Sequence, residues 1–235
     1  MANTAVEKPN FRSASATVDN KPLPPSTFPL TFAHLICFVG VAISSRFCIM
    51  LFGVNLVSHP QRTLQILWAF QCPIAILVFS WFRHDHSQCS YLGAAFRGAM
   101  AFPLGAVVNA LGAISLGAPI GSEFLGRTVH WSLFMSSLTF VPAACVVGSS
   151  WEKWRYLLSC VKICEGVDCL ICFTFHGALI GGWFGAWPMP LDWERPWQEW
   201  PICSTYGSIF GYLFALLLSF ALMMAPGKPK HTKFD

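Results

Sequence analysis

The residues best equipped for chemistry lie in one short stretch near the C-terminus. It reads Pro188-Met189-Pro190-Leu191-Asp192-Trp193-Glu194-Arg195-Pro196-Trp197-Gln198-Glu199-Trp200-Pro201. Asp192, Glu194 and Glu199 supply acceptors, and Arg195 supplies a planar donor fork. Trp193, Trp197 and Trp200 add large rigid faces, and four prolines restrict the backbone. Paired carboxylates can run acid–base chemistry or hold a divalent metal. Three acids and one arginine in so short a loop do not complete a metal cage alone. On the same side of the chain only Glu123 adds an acid, and His59 and His130 stand isolated. The stretch therefore reads as a stiff contact loop, gripping a partner's membrane-proximal face or a lipid headgroup through Asp192, Trp193, Glu194, Arg195, Trp197 and Trp200. No catalytic residue, cofactor or metal site is assigned.

Two other groupings have partial ligand spacing. His84, His86 and Cys89 lack a fourth group for a zinc site. Cys160, Cys164, Cys169 and Cys172 fit no zinc-ribbon spacing and read as packing residues. The remaining cysteines mostly lie in or beside apolar stretches, unlike the framework of a secreted disulfide scaffold.

The elements that must hold this loop are apolar. Hydrophobic residues make up 54% of the 235-residue chain and charged residues only 11%, too little charge to cover a soluble surface of this size. Six stretches approach the length a bilayer core requires: about 31–57, 64–82, 99–121, 130–149, 168–187 and 203–225. The expected fold is all-α, a polytopic membrane protein of about six transmembrane helices. Residues 1–30, rich in Pro, Ser, Thr and Asn, form a flexible N-terminal tail. Residues 31–225 form the membrane domain, and residues 226–235 a C-terminal tail.

Six spans put both termini on one side. That side holds Lys8, Arg12, Lys21, Arg83, Arg97, Lys153, Arg155, Lys162, Lys228, Lys230 and Lys233, against Arg62, Arg127 and Arg195 on the other. The positive-inside rule then makes both termini cytosolic. Trp81, Trp131, Trp151, Trp154 and Trp187 fall at proposed span ends, where amphipathic rings favour the headgroup zone.

Within the membrane, small residues decide how closely helices approach. Gly177, Gly181 and Gly185 recur every four residues in the fifth span, and Gly207 and Gly211 in the sixth. They predict flat packing stripes, facing another helix of this chain or of a partner. Arg46, expected near the middle of the first span, must face other helices, a lipid phosphate or a partner, or else snorkel from a shifted span end. His176 and Asn109 are intramembrane polar residues suited to hydrogen bonding between helices.

This composition excludes several functions. Sparse Lys and Arg with no dense basic run argue against nucleic acid. After residue 30 no extramembrane stretch is long enough for a catalytic domain. Few ionisable residues inside the spans, and no evident internal repeat, argue against a transporter.

The segment GALIGGWFGAWPMPLDWERPWQEWPICSTYGSIFGYLFAL, residues 177–216, resembles the signature region of the PIG-F family. The resemblance extends more thinly to Thr31 and His34, to Gly117-Ala118-Pro119 and to Thr139-Phe140-Val141-Pro142. It implies a multi-pass protein of the endoplasmic reticulum membrane in GPI-anchor biosynthesis. It further implies a non-catalytic stabilising subunit for a large GPI ethanolamine phosphate transferase catalytic subunit, which adds phosphoethanolamine to mannose of the GPI precursor. Phospholipid or GPI-precursor headgroups are further expected contacts. The alternative is an integral membrane enzyme or lipid transporter acting directly on the phosphatidylethanolamine donor or the GPI precursor. Lys233, third from the end, resembles part of a dibasic retrieval signal.

Overall fold

The computed structural model describes residues 27–84, 89–159 and 166–225. Most of the N-terminal tail, the C-terminal tail with Lys233, and His86, Cys160 and Cys164 lie outside the described residues. The architecture is all-α. Among the described residues eight α-helices follow one another: α1 Thr27–Phe52, α2 Pro60–Trp81, α3 Tyr91–Ser115, α4 Ser122–Leu138, α5 Phe140–Val147, α6 Trp151–Ser159, α7 Val167–Ala186 and α8 Ile202–Met224. Among the described residues six helical segments are long and apolar enough to cross a membrane, α4 and α5 together making the fourth. The chain is a polytopic membrane protein of six spans.

Local chemistry sets the span ends, and several differ from the hydropathy estimate. α1 starts at Thr27 and stops at Phe52, not 57, because Gly53 takes φ +59°, a left-handed value that ends a helix. Asn55 Oδ1 then accepts from the backbone N–H groups of Val57 and Ser58 at 3.0 and 2.7 Å. That Asx turn delivers Pro60 to the first position of α2, where its fixed φ suits a helix start. Arg46, placed near mid-span by hydropathy, lies six residues before the end of α1 at Phe52 and is exposed on the bundle's outer face.

α3 starts at Tyr91, where Ser90 Oγ caps it by accepting from Gly93 N–H. It ends at Ser115 rather than 121. Gly117 takes φ +102°, and the N–H groups of Ala118 and Gly117 donate to Ala113 O and Ile114 O at 2.9 and 3.0 Å. This Schellman closure turns Gly117-Ala118-Pro119 into a loop.

The fourth span is the hub. Of its most apolar window 78% is buried, against 28–44% for the other five, so the bundle is built around it. It breaks at Thr139 because Pro142 has no N–H for Leu138 O and its ring crowds that carbonyl. Nearby hydroxyls take up backbone acceptors. Thr139 Oγ1 donates to Met135 O at 2.7 Å, and Ser136 Oγ donates to Phe102 O of α3 at 2.8 Å. Phe134, Met135 and Leu138 are fully buried and pack in one core with Leu64 and Leu67 of α2, Leu170 of α7 and Tyr212 of α8.

Hydropathy predicts only a loop between the fourth and fifth spans. The structure shows α6, an amphipathic helix with Leu157 buried and Trp151 exposed. Trp154 Nε1 donates to Gly148 O at 2.8 Å, which ties α6 to the end of α5.

Candidate functional site

The Trp-rich loop is carried by α7 and α8, and their pairing is a backbone contact. A Cβ added to Gly181 would strike Gly207 O and sit 2.9 Å from Gly211 Cα. One on Gly185 would lie 2.5 Å from Cys203 O, and one on Gly177 2.6 Å from Gly211 O. Gly207 and Gly211 are equally closed by α7 backbone. Ser204 Oγ adds a hydrogen bond to Gly182 O at 3.1 Å. The five glycines therefore face one another within this chain. Of the two occupants their spacing allowed, the structure has the internal one.

On this frame the loop folds back on itself around Gln198. Its side-chain Nε2 donates to Pro188 O and Leu191 O at 2.6 and 2.9 Å, while its Oε1 accepts from Arg195 N–H at 2.9 Å. Gln198 is buried among exposed neighbours. Residue-type reasoning passed over it in favour of the charged and aromatic residues. The available signal was its place three residues after Arg195, where a Gln reaches back to the N–H that opens a turn. Glu194 takes φ +48°, the one described non-glycine residue in the left-handed region, and this kink turns the tip outward.

The three tryptophans have different fates. Trp193 and Trp197 remain 56% and 37% exposed, with ring centroids 6.0 Å apart. Asp192, Glu194 and Arg195 are exposed beside them. Trp200 instead turns into the bundle and is only 7% exposed. Its Nε1 donates to Thr128 Oγ1 of α4 at 2.9 Å, and its ring lies 5.0 Å from that of Trp131. Trp200 serves as the loop's own anchor rather than as an outward contact. Arg127 of α4 secures the same end, its Nη1 donating to Glu199 Oε2 at 3.0 Å and to Trp200 O at 3.4 Å.

Between loop and α4 lies an open cleft of about 490 Å³, lined by Pro119, Glu123, Phe124, Arg127, Met189, Glu199 and Trp200. Its position follows from the short α3–α4 turn and the anchored loop, which meet at the same end of the bundle. Glu123 and Arg127 sit one helical turn apart on α4.

The other polar residues singled out by sequence lie elsewhere. His176 makes its contacts at the α6 end, Nδ1 with Cys172 O at 2.8 Å and Nε2 with Leu158 O at 3.3 Å. Asn109 is buried, and its Nδ2 donates to Gly105 O of its own helix at 2.9 Å, not to a neighbour. His84 pairs with Asp168 at 2.9 Å, joining the end of α2 to the start of α7. No group of three His, Cys, Asp or Glu side chains able to hold a metal occurs among the described residues.

The model of the family described as "GPI biosynthesis protein family Pig-F" matches residues 30–220. Proteins of Mus musculus and Homo sapiens named "GPI ethanolamine phosphate transferase, stabilizing subunit" are each 37% identical over 103 residues, 44% of this chain and 47% of theirs. A Yarrowia lipolytica protein named "Glycosylphosphatidylinositol anchor biosynthesis protein 11" is 46% identical over 120 residues, 51% of this chain and 52% of its own. The chain spans about half the length of these curated relatives. No solved structure matches.

Proposed function

Starting from the fact that the chain belongs to the GPI biosynthesis protein family Pig-F, we propose that it is a stabilising subunit that holds a large GPI ethanolamine phosphate transferase in the endoplasmic reticulum membrane. In this reading both termini are cytosolic and the Trp-rich loop is lumenal. The transferase, not this chain, moves phosphoethanolamine to mannose of the GPI precursor. The relatives' printed role as a stabilising subunit supports the assignment.

The observation that carries it is the division of labour in the loop. Gln198 and Trp200 lock its base, while Asp192, Trp193, Glu194, Arg195 and Trp197 face outward on that fixed base. A preorganised surface of aromatic faces beside an arginine fork is the composition of an interaction hot spot, because little ordering entropy remains to be lost on binding. The glycine contact of α7 with α8 gives that surface a rigid support.

The test is purification of the tagged full chain in mild detergent with its membrane partners retained. A large ethanolamine phosphate transferase should come down with it. Arg195→Ala should reduce recovery of that enzyme at least about tenfold at unchanged abundance of the chain itself, since its side chain is exposed and a hot-spot arginine is worth about 2 kcal/mol or more, where about 1.4 kcal/mol is tenfold. An undiminished complex would remove Arg195 from the contact. Absence of any such enzyme, together with phosphoethanolamine transfer by the purified chain alone, would replace the subunit reading with an enzymatic one.

A further inference from the structure

The cleft beneath the loop has an unusual charge arrangement. Glu123 and Arg127 are four residues apart on one helix, the spacing at which a carboxylate and a guanidinium ordinarily bridge. Here Arg127 turns away to Glu199 and the Trp200 carbonyl, using Nη1 for both. The ring of Phe124, 5.6 Å from the guanidinium carbon, supports the side chain from below. Nε and Nη2 donate to none of the described residues, so a held guanidinium still presents free donors. Glu123 is exposed and makes no hydrogen bond or ion pair with the described residues.

The cleft thus offers a fixed cation and, among the described residues, an unpaired anion, carried one helical turn apart on α4. Two carboxylates against one guanidinium leave it one negative charge in excess. A purely anionic ligand would meet Arg127 but be repelled by Glu123 and Glu199. A simple cation would leave the free donors of Arg127 unused. A ligand with a phosphate at one end and an ammonium at the other satisfies both groups. Phe124, Met189 and Trp200 supply apolar and aromatic walls beside the ammonium position. A volume of about 490 Å³ is within the range of small-ligand sites and large for a single ion.

We propose that this cleft binds a zwitterionic phosphoethanolamine group, its ammonium on Glu123 and its phosphate on the free donors of Arg127. The identity of the zwitterion rests on the subunit reading above, and the charge geometry itself does not. Two sources share this chemistry: the headgroup of a phospholipid, and phosphoethanolamine carried on a glycan. A primary ammonium donates hydrogen bonds to Glu123 that a trimethylammonium cannot, so phosphocholine is the discriminating competitor.

The full chain is reconstituted in nanodiscs of mixed phosphatidylethanolamine, phosphatidylcholine and phosphatidylglycerol, and the lipids it retains are read by native mass spectrometry. In parallel it is titrated with soluble phosphoethanolamine and phosphocholine in phosphatidylcholine nanodiscs. Selective retention of phosphatidylethanolamine assigns the lipid source. Binding of soluble phosphoethanolamine without lipid selectivity assigns the glycan-borne source. In either case Glu123→Gln lowers the selective binding about tenfold, and Glu123→Asp restores part of it. Glu123 is exposed and bonds to none of the described residues, and its loss from the first turn of α4 costs only a small helix-dipole interaction, so these variants retain the structure. Lack of preference for the ethanolamine form in both arms overturns the proposal, as does selective binding that survives Glu123→Gln. The copurifying enzyme is measured in the same preparations. Its presence without headgroup binding overturns the cleft assignment alone, and headgroup binding without it supports the cleft and overturns the subunit reading.

Discussion

The α7–α8 and α1–α2 pairs are both antiparallel apolar hairpins, yet they are held together differently. In α7–α8 the contact is backbone against backbone, with glycine on both sides. In α1–α2 only α1 contributes a small notch, at Gly40, and what approaches it is side chain, Ile74 Cδ1 and the Gln71 amide oxygen at 3.2 and 3.4 Å from an added Cβ. The first pair closes completely. The second leaves an open groove of about 280 Å³ between Leu35, Ile36, Val39 and Ile43 on α1 and Phe70 and Ile74 on α2. Lipid tails are as apolar as leucine, so helices in a bilayer gain from contact mainly through close packing and hydrogen bonds. The glycine-faced pair has both, including Ser204 to Gly182. It is also the pair that carries the exposed loop, which must be held still to recognise anything.

Changing these contacts one by one tests the difference. The largest effect belongs to Gly181→Ala. Its new Cβ meets the Gly207 carbonyl, which cannot withdraw without parting the helices. The cost exceeds about 3 kcal/mol, and quantitative membrane fractionation should show the folded chain largely lost. Normal abundance and thermal stability would mean that the helices pair in some other register. Next is Trp200→Ala, which removes a buried ring and leaves Thr128 Oγ1 without its donor. It should cost about 3 kcal/mol in detergent unfolding and expose the loop base to limited proteolysis, with α7–α8 intact. A protease-resistant loop in that variant would show that Gln198 and Arg127 suffice without the Trp200 ring. Smallest is Gly40→Ala, where the flexible Ile74 end can move aside. Stability should stay within about 1 kcal/mol of the unsubstituted protein. A collapse as severe as that of Gly181→Ala would erase the distinction between the two hairpins.

Hydropathy was enough to count the spans, because a bilayer demands about twenty apolar residues per crossing and these six stretches stand apart from their flanks. It was poorer at ends. The left-handed Gly53 and the Schellman turn at Gly117 stop α1 and α3 inside runs that remain apolar for several more residues. It also passed over α6, whose nine described residues include Glu152, Lys153 and Arg155 and are too charged to register as a span. The glycine spacing pointed to packing stripes, but spacing alone is silent about what lies opposite.

The loop shows the same limit more sharply. Its composition marked it as a stiff polar and aromatic segment, and residues 192–197 are exposed. Three tryptophans in eight residues look equivalent in one dimension, yet one of them is core. Thr128, Trp131 and Arg127 decide this from 70 or so positions away. Gln198 is the residue that holds the loop together, and its partners are backbone carbonyls, which no sequence displays.

Composition and periodicity determined by themselves that this chain is a six-helix membrane bundle with one rigid, aromatic, charged loop. Those properties depend only on residue type along the chain, through burial in lipid and backbone stiffness. Only the tertiary structure decided that the glycines of α7 meet those of α8, that Trp200 turns inward, and that Arg127 pairs with Glu199 rather than Glu123 beside a cleft. Each of these is a choice of partner among distant residues of similar chemistry, settled by which backbones can approach closely enough to exclude the alternatives.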